Sequence, residues 1–179
     1  MRTYQRSLVK LINKYTPNPK YGAEIGVYKG DTSNVLKREF PKCRFMFVDP
    51  WKEWEEDSIY YRMDRRVGRF TQEEWDDIYD QAVANICEFG NGNHIIFAGL
   101  SKEAIKHVDD GALDFCFIDA NHHYQGVKSD IEFWQPKTRR LLCGHDYGGV
   151  FTGVKQAVNE IFGEENIIVT SGKIWAVIL

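Results

Sequence analysis

From about Tyr21 onward the sequence alternates short apolar runs with stretches of helical periodicity, and this alternation most limits the folds open to the chain. Apolar runs of four or five residues at 23–27, 44–48, 94–98, 114–118, 140–143, 167–170 and 174–178 read as strands. Helical patterns occupy 32–40, 73–89, 102–108, 124–134 and 154–162, and an opening helix over 3–15 stops before Pro17 and Pro19. Strands that are apolar throughout are covered on both faces, which predicts a Rossmann-like α/β fold: an open, mostly parallel, seven-stranded sheet with helices on both sides. The last two strands are separated only by Ser171-Gly172, so they should form a carboxyl-terminal hairpin, with the final strand antiparallel to its neighbours.

A length of 179 residues fits one domain, 1–179, with 1–19 as an amino-terminal helical segment. At 43% hydrophobic and 14% aromatic residues the chain can bury a substantial core. A net charge of −3 argues against a nucleic-acid partner. The apolar runs are too short to cross a membrane, and the amino terminus has no apolar segment or cleavage site of a signal peptide. Cys43, Cys87, Cys116 and Cys143 stand singly, without metal-binding spacing, and are expected as reduced thiols in a cytoplasmic protein.

The stretch Tyr21 to Ser33 reads as strand, glycine-containing turn, then helix start. Ligands of open α/β sheets bind beyond the carboxyl ends of the strands, so this turn should face the site. Gly26 and Gly30 let the backbone bend close to a ligand, and Asp31 or Thr32 can cap the helix. The glycines lie four apart and do not make the G-x-G-x-x-G dinucleotide fingerprint. Glu24, at the strand end, would repel pyrophosphate and welcome an ammonium or sulfonium group. The second strand ends in Asp49, placed to accept hydrogen bonds from both ribose hydroxyls of an adenosine.

Glu24-x-Gly26-x-x-x-Gly30-x-Thr32 resembles the first motif of class I S-adenosylmethionine-dependent methyltransferases. The run Ile118-Asp119-Ala120-Asn121-His122-His123-Tyr124, with Asp130 and then His145-Asp146, is similar to one branch of that class. That branch includes O-methyltransferases acting on sugars and other natural products, and cephalosporin-hydroxylase-like proteins. The resemblance covers Tyr21 to Tyr147 and implies S-adenosylmethionine as cofactor, with Glu24, Gly26, Tyr28, Gly30, Thr32, Asp49, Gly99, Ser101 and Asp119 as its binding residues. Two positions depart from the pattern: Leu100 stands where an acidic or polar residue is usual, and His145 where an acid is usual.

Asp119, His145 and Asp146 come from the ends of adjacent predicted strands and can converge on one divalent cation, Mg2+ or Mn2+. His122, three residues beyond Asp119, is the candidate general base, with His123 as its neighbour and substitute. These expectations describe O-methylation of a small-molecule or sugar hydroxyl. The connection over about 51–90 is long and rich in aromatics, and reads either as a lid or as a longer packed helix. The short chain also suggests a homo-oligomer that completes the acceptor pocket. Two other readings share the fold: a non-catalytic S-adenosylmethionine-binding module and an NAD-dependent oxidoreductase, the latter disfavoured by the missing fingerprint.

Overall fold

A computed structural model describes residues 1–56, 58, 61–62, 67–89 and 92–179. The strands are β1 (Tyr21–Ile25), β2 (Arg44–Asp49), β3 (His94–Ala98), β4 (Leu113–Ile118), β5 (Thr138–Gly144), β6 (Ile168–Val169) and β7 (Trp175–Ile178). They join in one sheet of order β3-β2-β1-β4-β5-β7-β6. The first five strands pair in parallel, while β7 runs antiparallel to both β5 and β6. The mostly parallel sheet and its closing hairpin are as the residue pattern predicts.

The helices are α1 (Thr3–Tyr15), α2 (Asp31–Glu39), α3 (Gln72–Cys87), α4 (Ser101–Ala104), α5 (Tyr124–Trp134) and α6 (Thr152–Phe162). The pleat sends alternate residues of each strand to opposite faces. Phe45, Phe47, Phe115 and Phe117 pack with Leu8 and Ile12 of α1, Leu36 of α2 and Trp75 and Ala82 of α3. Met46, Val48, Cys116 and Ile118 pack on the other face with Ala104 of α4, Ile131 and Trp134 of α5 and Val158 of α6. Cys43, Cys116 and Cys143 are buried free thiols, and Cys87 is an exposed one.

Two expectations need adjusting. The helix expected over 102–108 is one α-helical turn, α4, followed by a 3-10 turn over Ile105–His107, and its N-cap is Leu100. In the long connection, Trp51 and Trp75 are buried and Phe70 and Tyr79 pack beside them, so these four aromatics serve the core, while Trp54 and Tyr61 are only partly buried and lie against Lys52 and Arg69. The packed-helix reading therefore describes α3, while the lid reading falls partly on positions 57, 59–60 and 63–66, outside the described residues. Among the described residues no helix is long and apolar enough to cross a membrane.

The sheet order places the topological switch point between β1 and β4. The chain runs from β1 outward to β2 and β3, then returns to the other side of β1 for β4 and β5. Loops leaving β1 and β4 therefore diverge and open a crevice at their carboxyl ends.

Candidate active site

Ile25, the last residue of β1, accepts a hydrogen bond from the Asp119 N–H at 2.7 Å, and Gly26 N–H donates to Val48 O at 2.8 Å. These two bonds bring the glycine turn and the end of β4 side by side at the switch point. Gly26 has φ +89°, and a Cβ there would collide with the Asp119 carbonyl, so this close approach requires glycine.

The turn itself is held by carboxylates. Asp49 Oδ2 accepts from the N–H groups of Val27 (3.0 Å) and Tyr28 (2.9 Å), and Oδ1 accepts from Trp51 N–H at 3.0 Å. Trp51 Nε1 in turn donates to Tyr28 O at 2.8 Å. Tyr28 and Trp51 both adopt positive φ, a costly backbone state that this network fixes. A carboxylate has about four acceptor positions, and three in Asp49 already serve the main chain. One position, on Oδ1, is left uncommitted. Burial raises the Asp49 carboxyl above its usual range, outweighing its three N–H donors.

Glu24 lies deeper than the sequence suggests. It is fully buried, and Ser33 Oγ donates to its Oε2. Burial holds its carboxyl well above the usual value, opposed by the Ser33 bond and reinforced by Asp119 and Asp49. Gly30 also has positive φ, and its Cβ position would press on the Ala82 backbone of α3. Thr32, the second residue of α2, is 5% exposed.

Across the crevice, Asp119, His145 and Asp146 each offer one ligand atom, and these atoms all lie within 4.8 Å of one another. His145 Nδ1 is 3.6 Å from both Asp119 Oδ1 and Asp146 Oδ2. His122 Nε2 is 3.0 Å from Asp146 Oδ2 and 3.7 Å from Asp119 Oδ1. That nitrogen is buried without an aligned hydrogen bond, so the contact is ionic rather than directional. Its ring stacks on Phe151 with centroids 4.2 Å apart. Asp146, like Tyr28, adopts positive φ. Burial opposes a charge on His122, but Asp119 and Asp146 prevail and push its pKa up to about 9. His145 is also raised, burial being outweighed by Asp119 and then Asp146. Asp146 is lowered: burial works against this, and His122 and His145 overcome it.

A methyltransferase-domain family model matches residues 23–147, a span that includes the glycine turn, Asp49 and the whole Asp/His cluster. The chain belongs to the methyltransferase-domain family. Solved structures agree on the fold. The O-methyltransferase TomG of Streptomyces achromogenes, solved with S-adenosylmethionine, matches at TM-score 0.63 and 15% identity over 99% of this chain and 81% of its own. An O-methyltransferase of Bacillus cereus solved with S-adenosylhomocysteine matches at TM-score 0.63 and 18% identity, over 100% of this chain and 82% of its own. The calicheamicin methyltransferase CalS11 matches at TM-score 0.67 and 13% identity, over 97% and 76%. No curated protein sequence matches the chain.

The methyltransferase fold thus brings most of the expected site residues together and sets others aside. Gly26, Tyr28, Gly30, Thr32 and Asp49 gather at the turn after β1, and Asp119, His122, His145 and Asp146 cluster beyond the ends of β4 and β5. Gly99 joins the first group, donating its N–H to Asp49 O at 3.0 Å. Ser101 turns away: its Oγ accepts from Trp134 Nε1 at 2.8 Å and bonds the buried Asp130. His123 is the N-cap of α5. The sequence reading missed Tyr4, Ser33, Trp51 and Phe151. Ser33 sits one helical position beyond Thr32, and Trp51 follows Asp49-Pro50, so both were adjacent to recognised motifs. Nothing in the local pattern marks Tyr4.

Proposed function

We propose that this chain is an S-adenosylmethionine-dependent O-methyltransferase acting on a hydroxyl of a small molecule or sugar. The observation that carries the reading is the switch-point juxtaposition. A glycine turn braced by Asp49 faces Asp119, His122, His145 and Asp146 across one crevice, in a chain of the methyltransferase-domain family. On this reading the turn after β1, with Glu24 and Asp49, would hold S-adenosylmethionine, which would supply the methyl group. The solved neighbours holding S-adenosylmethionine or S-adenosylhomocysteine support the cofactor class.

Two carboxylate oxygens and one imidazole nitrogen within 4.8 Å fit a single divalent cation of hard to borderline character, such as Mg2+ or Mn2+. Such an ion, when bound, supplies positive charge that lowers the pKa of an acceptor hydroxyl. Asp119, His145 and Asp146 would hold it. His122 removes the acceptor proton. With Asp119 and Asp146 facing it, His122 has its pKa pushed up to about 9 against the effect of burial. Engaging those carboxylates elsewhere removes the cause of the upward shift and returns the imidazole to its basic form. The remaining catalytic contribution is alignment of hydroxyl and methyl donor.

Beside the cluster, a groove of about 410 Å³ is lined by Gly148, Gly149, Thr152, Lys155, Gln156 and Asn159. Transfer of a labelled methyl group from S-adenosylmethionine to a panel of sugars and phenols tests the proposal. Turnover that requires His122 supports it. Cofactor binding with no transfer to any acceptor would instead favour the non-catalytic module.

A further inference from the structure

Tyr4 lies outside every motif that identifies the family, yet it touches residues of both groups. Its ring lies against the His145 imidazole, with centroids 4.4 Å apart and planes inclined by 32°. Its hydroxyl is 2.9 Å from Thr32 Oγ1, on the cofactor turn's side. The next residue, Gln5, is 3% exposed and donates to Asp31 O at 3.2 Å, and Arg2 pairs with the Asp31 carboxylate at 2.8 Å. The first turn of α1 is thus fastened to the start of α2 at three residues. From the opposite side it is pressed by the β6–β7 turn, where a Cβ at Gly172 would come within 2.6 Å of Tyr4 Cα. Tyr4 therefore has little freedom to move unless one of its two partners moves.

Its partner His145 is the one imidazole among the three candidate ligands, the other two being the carboxylates of Asp119 and Asp146. A carboxylate ligand can swing two oxygens toward a cation, whereas an imidazole must be aimed. A ring packed against its face does the aiming, as outer groups do for histidine ligands generally.

We propose that Tyr4 is a positioning residue that couples the glycine turn to the Asp119–His145–Asp146 cluster: its ring sets the His145 orientation, and its hydroxyl ties that orientation to Thr32. This rests on the functional reading above, in which the turn receives the cofactor and the cluster a cation. A ligand that draws on the Thr32 hydroxyl changes the Tyr4 bond, and with it the aim of His145. Coupling between two sites is reciprocal, so the cation must change cofactor affinity by the same factor.

The test is Mn2+ binding to the full chain, followed by electron paramagnetic resonance of the free ion, with and without saturating S-adenosylhomocysteine. Wild-type affinity for Mn2+ should shift by about 5-fold or more with the nucleoside present. Tyr4→Phe keeps the ring and should keep the Mn2+ affinity while losing the shift. Tyr4→Ala should weaken Mn2+ by about 10-fold or more, at the low end of effects for groups behind metal ligands. Circular dichroism confirms that both variants fold, and Tyr4→Phe carries the test if Tyr4→Ala does not. A Tyr4→Phe variant with the full wild-type shift would overturn the coupling. So would wild-type protein that binds both ligands independently, or binds S-adenosylhomocysteine without Mn2+; in these cases the cofactor reading stands. Wild-type protein that does not bind the nucleoside defeats that reading and the coupling together.

Discussion

The two ends of β4 each carry a carboxylate, and they use it in opposite ways. At the amino end, Asp114 Oδ2 accepts from the N–H groups of Lys20 (2.7 Å) and Tyr21 (3.1 Å), while Oδ1 takes both Nε and Nη2 of Arg139. Its carboxyl is held below the usual value, the Lys20 and Arg139 bonds outweighing burial. At the carboxyl end, Asp119 faces two imidazoles at 3.6 and 3.7 Å, distances at which no direct hydrogen bond is closed. Positive-φ backbone gathers at this second end, at Tyr28, Trp51 and Asp146. One carboxylate is consumed by the fold; the other is left with acceptor capacity to spend on a ligand. Strain and incomplete satisfaction at one end of a well-satisfied sheet are what a binding crevice requires.

This contrast predicts that the two ends fail differently. Asp119→Asn and His122→Ala should each lower methyl transfer by about 100-fold or more, a typical loss for a removed acid–base or charge-stabilising group, while the thermal midpoint stays near wild type. Equal loss of folding stability would erase the distinction. Asp114→Ala should do the reverse. It leaves two main-chain N–H groups and a guanidinium short of a partner, costing about 2–3 kcal/mol in denaturant unfolding, with nucleoside binding by the folded fraction unchanged.

A smaller effect sharpens the comparison through pH. The Asp114 carboxyl is depressed in the folded state, so its stabilisation is present above the unfolded value of about 4 and is lost as pH falls through the folded one. Glu24 and Asp130 are raised, Asp130 to about 6, in each case chiefly by burial. Their contribution runs the other way, fully present below the unfolded carboxyl value and lost as pH rises through the folded pKa. Asp114→Asn should therefore flatten the acid limb of a stability–pH curve, and Glu24→Gln should relieve the loss toward neutral pH. Identical curves for either variant and wild type would contradict the assignment. The smallest effect concerns thiols: native protein should expose one, Cys87, to an aromatic disulfide reagent, the other three reacting only on unfolding.

Much of this contrast was legible in the residues. The helices over Thr3–Tyr15 and Tyr124–Trp134 fall where periodicity places them because their burial is one-sided, and the strand over His94–Ala98 falls where its apolar run places it although, at the sheet edge, it is only partly buried and Ile95 is exposed. Asp119, His122, His145 and Asp146 were readable because they follow strand ends, and parallel strands deliver their ends to one rim. The pairing of Glu24 with Ser33 and the use of Asp49 by the main chain were not readable. Both depend on where a turn settles in three dimensions, and the same residues could equally have faced a ligand. Ser101 illustrates the same gap: its partner Trp134 comes from α5, and no local rule assigns a serine to a distant indole. Tyr4 was hidden for the converse reason, since its contacts lie at residues 32 and 145.

On the proposed function, the crevice between β1 and β4 receives S-adenosylmethionine. Calorimetric titration with S-adenosylhomocysteine, on wild type and on Gly26→Val, tests it most directly. One micromolar site is expected in wild type, lost when a side chain is forced between the turn and Asp119. No heat from wild-type protein at any nucleoside concentration up to millimolar would contradict it.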